Sequence, residues 1–298
     1  MSDPTDAQKR AEELHDLGVE KSDAGDDDAA LALYLEALAL DRARPETLYN
    51  AGLIYKYRRD WEHSLRYNRL ARELRPDDPA TNWNLAIAAT GLKDWRSARE
   101  VWKRLGMKIE ESDEPITGDF GVAPIRLNGF EETGDAVEVV WASRLSPVTA
   151  RILNIPTPEA RYRYGDVVLH DGAGTGTRLD SRGREVPVFN AFELLEPSDF
   201  ITFEVHVEAP DEKALESLRA ASEAADVEFE DWTAMQLFCR ECSEGKAPDT
   251  HVHAKSAAWE SSRRIGMAAR DFAPVEEVLE RWCAEDPDWR GAAVDQDV

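Results

Sequence analysis

The stretch that decides the fold of the first third of the chain is residues 45–78, PETLYNAGLIYKYRRDWEHSLRYNRLARELRPDD. The chain repeats its pattern on both sides at a spacing of 34 residues. The columns that coincide include Ala11, Pro45 and Pro79; Leu17, Ala51 and Leu85; Gly18, Gly52 and Ala86; and Ala30, Ser64 and Ala98. Because small residues recur where two helices must approach closely, the period predicts three stacked helical hairpins.

This pattern resembles the tetratricopeptide repeat (TPR) family, and it occurs three times without an insertion over roughly residues 11–111. The second repeat matches the family's positions best, with Leu48, Gly52, Tyr55, Trp61, Ala71 and Pro76. The resemblance implies an α-solenoid that binds a protein or peptide, and it implies no catalysis. We expect helices to start near Ala11, Gly25, Pro45, Asp60, Pro79 and Asp94.

The first helix of each hairpin should line the binding groove that the resemblance implies. We expect partner-binding residues at Tyr49, Leu53, Lys56, Trp83 and Ile87, because aromatic and apolar side chains anchor peptides in helical grooves. Chaperone-binding members of the family grip a terminal carboxylate with Lys and Asn. Val19 occupies one of these Asn positions, whereas Asn50 and Asn84 stand near others, so the resemblance does not imply the complete clamp. An alternative is that the C-terminal domain or a further helix covers the groove.

The formal charge of −24 is unevenly distributed along the 298 residues. Residues 1–112 contain 22 acidic and 18 basic side chains, whereas residues 113–298 contain 38 and 18, so about −20 lies in the second part. This balance argues against nucleic acid as a partner, because binding phosphates requires clustered Lys and Arg. It favours a basic protein partner, although an acidic surface can also serve solubility alone.

The sequence also predicts where the protein resides. It contains no apolar run of about 18 residues and no apolar stretch after its polar start, so we expect neither a membrane span nor a secretory signal. Its three cysteines do not form a disulfide framework and suit a reducing compartment. The prediction is a soluble, cytoplasmic protein.

Helical periodicity stops after Ile109, and we place a linker at 113–125. In the β-rich part, 126–200, a period of two predicts strands at 137–142, 150–155, 166–170 and 186–189. Gly174, Gly176 and Gly183 indicate a mobile loop before the last of these strands. We expect a small, strongly bent sheet or partial barrel.

An α+β part should follow at 201–290. The pattern predicts a strand from Ile201, a helix at 211–225 and a second, parallel strand at 227–230. Two further helices are expected at 256–270 and 274–284, followed by a disordered tail at 291–298. The predicted fold class is therefore multidomain α and α+β, with a TPR solenoid at 1–112.

A second, shorter resemblance concerns the β-rich part. Trp141-Ala142, Asn154-Ile155-Pro156 and Tyr164-Gly165-Asp166-Val167-Val168 form a pattern similar to that of an uncharacterised bacterial domain. The likeness covers about thirty residues and implies no activity.

The clearest chemical motif is a possible metal site in the α+β part. Cys239 and Cys242 can bind one ion from a tight turn that Gly245 permits, and His251 and His253 could complete a tetrahedron. This pattern predicts a closed, structural zinc knuckle, although only eight residues separate Cys242 from His251. The alternatives are a reduced pair that binds nothing and a redox dithiol.

Other motifs do not predict catalysis. His170 and His206 lie on separate predicted strands, and nothing in the sequence brings them together. The glycine-rich stretch 171–177 is not followed by the helix that a phosphate site needs. We therefore expect a non-enzymatic adaptor or scaffold whose acidic C-terminal domain is stabilised by zinc. The alternatives are a toxin-neutralising immunity or antitoxin-type protein and a metal-dependent hydrolase.

Overall fold

The computed structural model describes residues 5–130, 137–235, 239–246 and 259–296. The chain divides into two compact units, Met1–Thr117 and Gly118–Val298. The boundary between them falls inside the predicted linker. Among the described helices, none combines the length and apolar character needed to span a bilayer.

Unit 1 contains six consecutive helices that pair into three hairpins, as the period predicts. They are α1 (Asp6–Asp23), α2 (Asp27–Leu40), α3 (Pro45–Tyr57), α4 (Trp61–Leu74), α5 (Pro79–Gly91) and α6 (Trp95–Arg104). Helix α1 begins five residues earlier than expected, because Thr5 and Gln8 form a capping box there. Aspartate side chains cap α2, α4, α5 and α6 by accepting backbone N–H groups.

The small residues of the repeat allow the two helices of a hairpin to approach closely. A Cβ atom added to Gly18 would collide with the ring of Tyr34 on the following helix. A Cβ atom on Gly52 would lie 2.6 Å from Nδ2 of Asn68, which is fully buried. The interval of 16 residues from Gly18 to Tyr34 recurs from Gly52 to Asn68, so the recurring small residues have the packing role that the sequence predicts.

Unit 2 begins with a closed five-stranded barrel rather than an open sheet. Its strands are β1 (Val122–Leu127), β2 (Glu138–Arg144), β3 (Thr149–Ile152), β4 (Val167–Leu179) and β5 (Glu185–Glu196). Neighbouring strands pair antiparallel, and β1 closes the barrel by pairing parallel with β5. The predicted linker was wrong in its last four residues, because β1 starts at Val122.

The glycine-rich stretch expected to form a mobile loop is part of a strand. Gly174 and Gly176 belong to β4, where they pair with Phe189 and Val188 of β5 across several register shifts. The expectation failed because glycines in a strand also mark bulges and close backbone approach. Only Gly183 lies in the turn between β4 and β5.

The described residues of the α+β part form a four-stranded sheet, two longer helices and a one-turn helix. The elements are β6 (Ile201–Glu208), α7 (Glu212–Ala224), β7 (Glu228–Asp231), α8 (Arg240–Ser243), β8 (Ser262–Ala269), α9 (Ala273–Glu285) and β9 (Arg290–Gln296). The strand order is β7-β8-β6-β9. Strands β6 and β7 are parallel, as expected, but β8 lies between them and pairs antiparallel with both.

Two sequence predictions in this part were wrong. The expected helix over 256–270 is strand β8 across Ser262–Ala269, and burial on both faces at the centre of the sheet removes the alternation that reveals a strand. The expected tail contains β9, which pairs with β6. Gly291 lets β9 pass close to Leu279 and Val207, a packing that sequence periodicity does not report.

Candidate binding and metal sites

The structure places two of the expected partner-binding residues in the core. Ile87 is 0% exposed, because α5 is packed on all of its sides and even its polar residues, such as Asn84 and Thr90, are buried. Lys56 is 3% exposed, and its Nζ lies 4.3 Å from the ring centroid of Tyr57. The expectation that Lys56 and Ile87 line an open groove was therefore wrong.

The side chains of the other three expected residues remain partly exposed to solvent. Tyr49 and Leu53 on α3 are half-buried. Trp83 on α5 is also half-buried, and its ring meets that of buried Trp102 edge-on, with centroids 4.9 Å apart. Trp83 thus contributes to packing within the array.

A groove that the sequence analysis missed lies between the second helices of the first two hairpins. Its volume is about 630 Å³. The lining residues are Leu35, Leu38, Ala39, Arg42, Leu48, Arg66, Tyr67, Arg69 and Leu70. We call this set the α2/α4 groove. A signal for it was present in the sequence of α2, DDAALALYLEALAL, where Glu36 is the one charged residue after the first turn. Part of this apolar helix remains exposed at Ala39 and Leu40.

Three arginines border the α2/α4 groove, and no acidic residue lines it. Arg69 donates hydrogen bonds to Asp94 and Ser97 at 3.2 and 3.1 Å. Arg66 lies over the ring of Tyr67, 5.7 Å from its centroid. Within the described part of the chain, Arg42 makes no ion pair.

The cysteine pair lies on a tight turn that is fixed to the barrel. Cys239 caps the one-turn helix α8, and Cys242 is part of it. Burial and a hydrogen bond with the neighbouring Cys239 thiol raise the pKa of Cys242 above its ordinary value. Both side chains are half-buried, and the hydrogen bond between the two thiols places their sulfur atoms next to each other.

Strand β4 positions this turn through polar contacts with its backbone. The Arg178 guanidinium donates a hydrogen bond to the carbonyl oxygen of Cys242 at 2.9 Å. The backbone N–H of Thr177 donates to the carbonyl oxygen of Gly245 at 3.0 Å. A Cβ atom on Gly245 would lie 2.6 Å from the carbonyl oxygen of Thr177, and one on Gly176 would collide with the Gly245 carbonyl. The glycines therefore allow direct contact between the two backbones.

The described residues supply only part of the predicted zinc site. His251 and His253 lie outside the described ranges. Within those ranges, no group of three or more His, Cys, Asp or Glu side chains is placed to hold a metal ion. The ligand set Cys239, Cys242, His251 and His253 thus stays a prediction.

The two histidines considered for catalysis have separate environments. His170 is fully buried in the barrel, where burial lowers its pKa to about 3, and its Nδ1 lies 2.8 Å from the Asp171 carbonyl. His206 is exposed on β6 and shares a 2.9 Å hydrogen bond with Glu204. No contact between described residues joins them.

A half-buried glutamate that the sequence analysis missed, Glu138, lies where the barrel meets the sheet. Burial raises the pKa of Glu138 to about 7, and the nearby carboxylates of Glu230 and Glu159 add to the effect. Its Oε2 accepts hydrogen bonds from the N–H and hydroxyl of Thr157, both at 3.0 Å. Asn154 donates to Glu230 at 3.1 Å.

This junction accounts for part of the shorter sequence pattern noted above. The side-chain oxygen of Asn154 accepts from the N–H of Trp141 at 2.6 Å, and the indole of Trp232 donates to the Ile155 carbonyl at 2.9 Å. These contacts join β2 and the loop after β3 to the α+β sheet. The pattern therefore has a structural role in unit 2.

Together, the six helices of residues 6–104 form an array of three helical hairpins, followed along the chain by a β-barrel and an α+β sheet. No protein-family model matches the chain, and no curated protein matches it either.

Among solved structures, the array is similar to TPR domains. The N-terminal domain of stress-induced protein-1 from C. elegans is 18% identical, with 34% of this chain and 85% of that one covered and a TM-score of 0.31. The Sgt2 TPR domain from Aspergillus fumigatus is 21% identical, with 34% of this chain and 69% of that one covered and a TM-score of 0.31. The first TPR of Spaghetti (RPAP3), solved with an HSP90 peptide, is 18% identical, with 33% of this chain and 78% of that one covered and a TM-score of 0.31.

Proposed function

We propose that this protein is a non-enzymatic adaptor or scaffold whose TPR array binds another polypeptide. The observation that carries the proposal is the α2/α4 groove, where Leu70, Ala39 and half-buried Leu35 stay in contact with solvent between two helices. Apolar side chains that line a concave surface with a few polar groups are typical of binding sites. The half-buried pair Tyr49 and Leu53 offers a second contact surface on α3.

The experiment that tests this function is selection of ligands from a random peptide library displayed on phage, with the intact chain as bait. We expect related peptide sequences to be enriched and to compete with one another for the chain. Variants that change the array surface, Leu70→Ser or Leu53→Ser, should weaken capture of at least one such peptide class. Enrichment that is insensitive to both variants would contradict binding through the array.

The acidic second part of the chain suggests a complementary role. With 38 acidic and 18 basic side chains in residues 113–298, it would attract a basic protein by long-range electrostatics, as an immunity or antitoxin-type protein does with a basic toxin. The cytoplasmic location expected from the cysteine usage is part of the same proposal.

Zinc binding by the second unit is a further part of the proposed function. The two adjacent thiols of Cys239 and Cys242 fit the first half of a zinc site, because both sulfurs are held on one turn. His251 and His253 would supply the remaining ligands. A zinc ion would stabilise the thiolate forms and cross-link this turn to the following segment, which is a structural and not a catalytic role.

A further inference from the structure

We propose that the α2/α4 groove binds an acidic amphipathic helix of a partner protein. The apolar stripe of that helix would pack on the groove's leucines, and its flanking carboxylates would pair with Arg42 and Arg66. This inference rests on the proposed function and deepens it, since it names both a site on the second helices of the hairpins and the chemistry of the ligand.

The shape of the groove favours a helix over an extended peptide. On α2 the lining residues are Leu35, Leu38 and Ala39, which follow the i, i+3, i+4 spacing of one helical face, and Arg42 follows directly after the extended C-cap residue Asp41. The facing wall comes from α4, between Arg66 and Leu70. Both walls are helices whose backbone groups bond internally, so an extended strand would find no backbone partners. A ridge of side chains on a third helix fits between two such faces.

The floor supplies apolar surface that the array itself does not cover. Among the lining residues, Leu70 is 36% exposed and Ala39 is exposed as well. Leu40 and Leu74 do not line the groove but add exposed apolar surface at the ends of the same two helices. The volume of about 630 Å³ accommodates several large side chains. An apolar stripe of leucine-sized residues therefore matches this floor.

The charges on the rim select the ligand. All three charged residues that line the groove are arginines, in a chain whose net charge is −24. Arg69 is already bonded to Asp94 and Ser97, so Arg42 and Arg66 are the cations that a ligand would meet. Guanidinium groups bind carboxylates through paired hydrogen bonds. A second copy of the chain is a weaker fit, because two bodies with 24 excess negative charges each repel one another.

The test uses the intact chain and three fluorescent probes of about 18 residues, a length that supports a helix. The first probe has a leucine stripe flanked by glutamates, the second has lysines in place of the glutamates, and the third is the acidic probe with two central prolines. By fluorescence anisotropy we expect the acidic probe to bind about tenfold or more tightly than either of the others. We also expect its affinity to fall as salt is added.

Charge reversal locates the site. The double variant R42E/R66E should weaken binding of the acidic probe by about tenfold or more and improve binding of the lysine probe. The control K9E/K108E makes the same change in net charge at exposed residues outside the groove and should leave the affinity within about twofold. Leu70→Ser should also weaken binding, and circular dichroism would verify that each variant remains helical.

Three outcomes would overturn the inference. Equal binding of the acidic probe to R42E/R66E and to the unchanged chain would place its site elsewhere, while binding by the array could still hold. Equal affinity for the proline probe would exclude a helical ligand. Failure of every probe, together with a change of sedimentation in R42E/R66E, would assign the groove to a second copy of the chain. The library selection described above tests the broader function independently.

Discussion

At the scale of single residues, Glu138 makes the stability of the junction between barrel and sheet depend on pH. Its pKa is about 7 in the folded chain and 4.5 in the unfolded one. Between these values the Glu138 carboxyl is ionised in the unfolded chain but still protonated in the folded one. The free energy of unfolding therefore falls as the pH rises from 4.5 to 7 and stays at the lower value above pH 7.

Replacement of this carboxyl by an amide should remove that loss. We expect Glu138→Gln to raise the free energy of unfolding at pH 8 by up to about 3 kcal/mol relative to its effect at pH 4.5, since Gln can still accept the hydrogen bonds from Thr157. Urea unfolding at the two pH values measures the difference. The control Glu208→Gln removes an exposed carboxylate and should change the free energy of unfolding by no more than about 0.5 kcal/mol, as is usual for surface substitutions. Parallel pH profiles for Glu138→Gln and the unchanged chain would refute the assignment.

At the scale of elements, the packing of the second hairpin depends on Gly52. A methyl group there would lie 2.6 Å from Nδ2 of Asn68, which donates to the Ser64 carbonyl at 2.8 Å. Gly52→Ala should therefore destabilise the array by about 1–3 kcal/mol, measured by urea unfolding followed through the helical signal.

A double-mutant cycle separates this clash from the general effect of alanine. Asn68→Ala removes the group that the new methyl would meet, so G52A/N68A should be less destabilised than the sum of the single variants. Strict additivity would show that the contact between α3 and α4 is not what requires glycine.

The cysteine turn depends in the same way on Gly245. Its φ is +73°, and an added Cβ would meet the backbone of β4 at Thr177. We expect Gly245→Ala to separate the turn from β4 and to increase the rate at which a thiol reagent modifies Cys239 and Cys242. Gly183 is a matched control, because its φ is also +73° but nothing lies within 4 Å of an added Cβ. Equal thiol reactivity in the two alanine variants would show that contact between Gly245 and β4 does not control access to the two cysteines.

At the scale of the whole molecule, the predicted zinc ion would contribute to the stability of unit 2. Purified protein should contain about one zinc per chain, and Cys242→Ser should release it and lower the melting temperature of the sheet-rich unit while the helices persist, because metal binding adds to the free energy of folding. Elemental analysis and thermal circular dichroism measure both effects. Cys283→Ser, on the remote helix α9, should retain the metal. A metal-free parent protein with an unchanged melting curve in Cys242→Ser would exclude the site.

Much of the array could be predicted because its determinants are local. Three copies of one pattern place small residues such as Gly18 and Gly52 at helix contacts, and helix caps mark most of the boundaries. In unit 2, the strands with alternating side chains were predicted near their observed positions. Strand β8 was not, since both of its faces are covered and Gly266 packs under the ring of Trp232.

The sequence by itself determined the three hairpins, the change to β structure after them and the pairing of two cysteines on one turn, because each follows from residues close together in the chain. Only the tertiary structure decided that the barrel closes, that Ile87 and Lys56 are buried, that Glu138 holds its proton to about pH 7 and that a basic groove opens between α2 and α4. These features depend on how much solvent each group loses when distant segments pack together, and that quantity is set by the assembled fold.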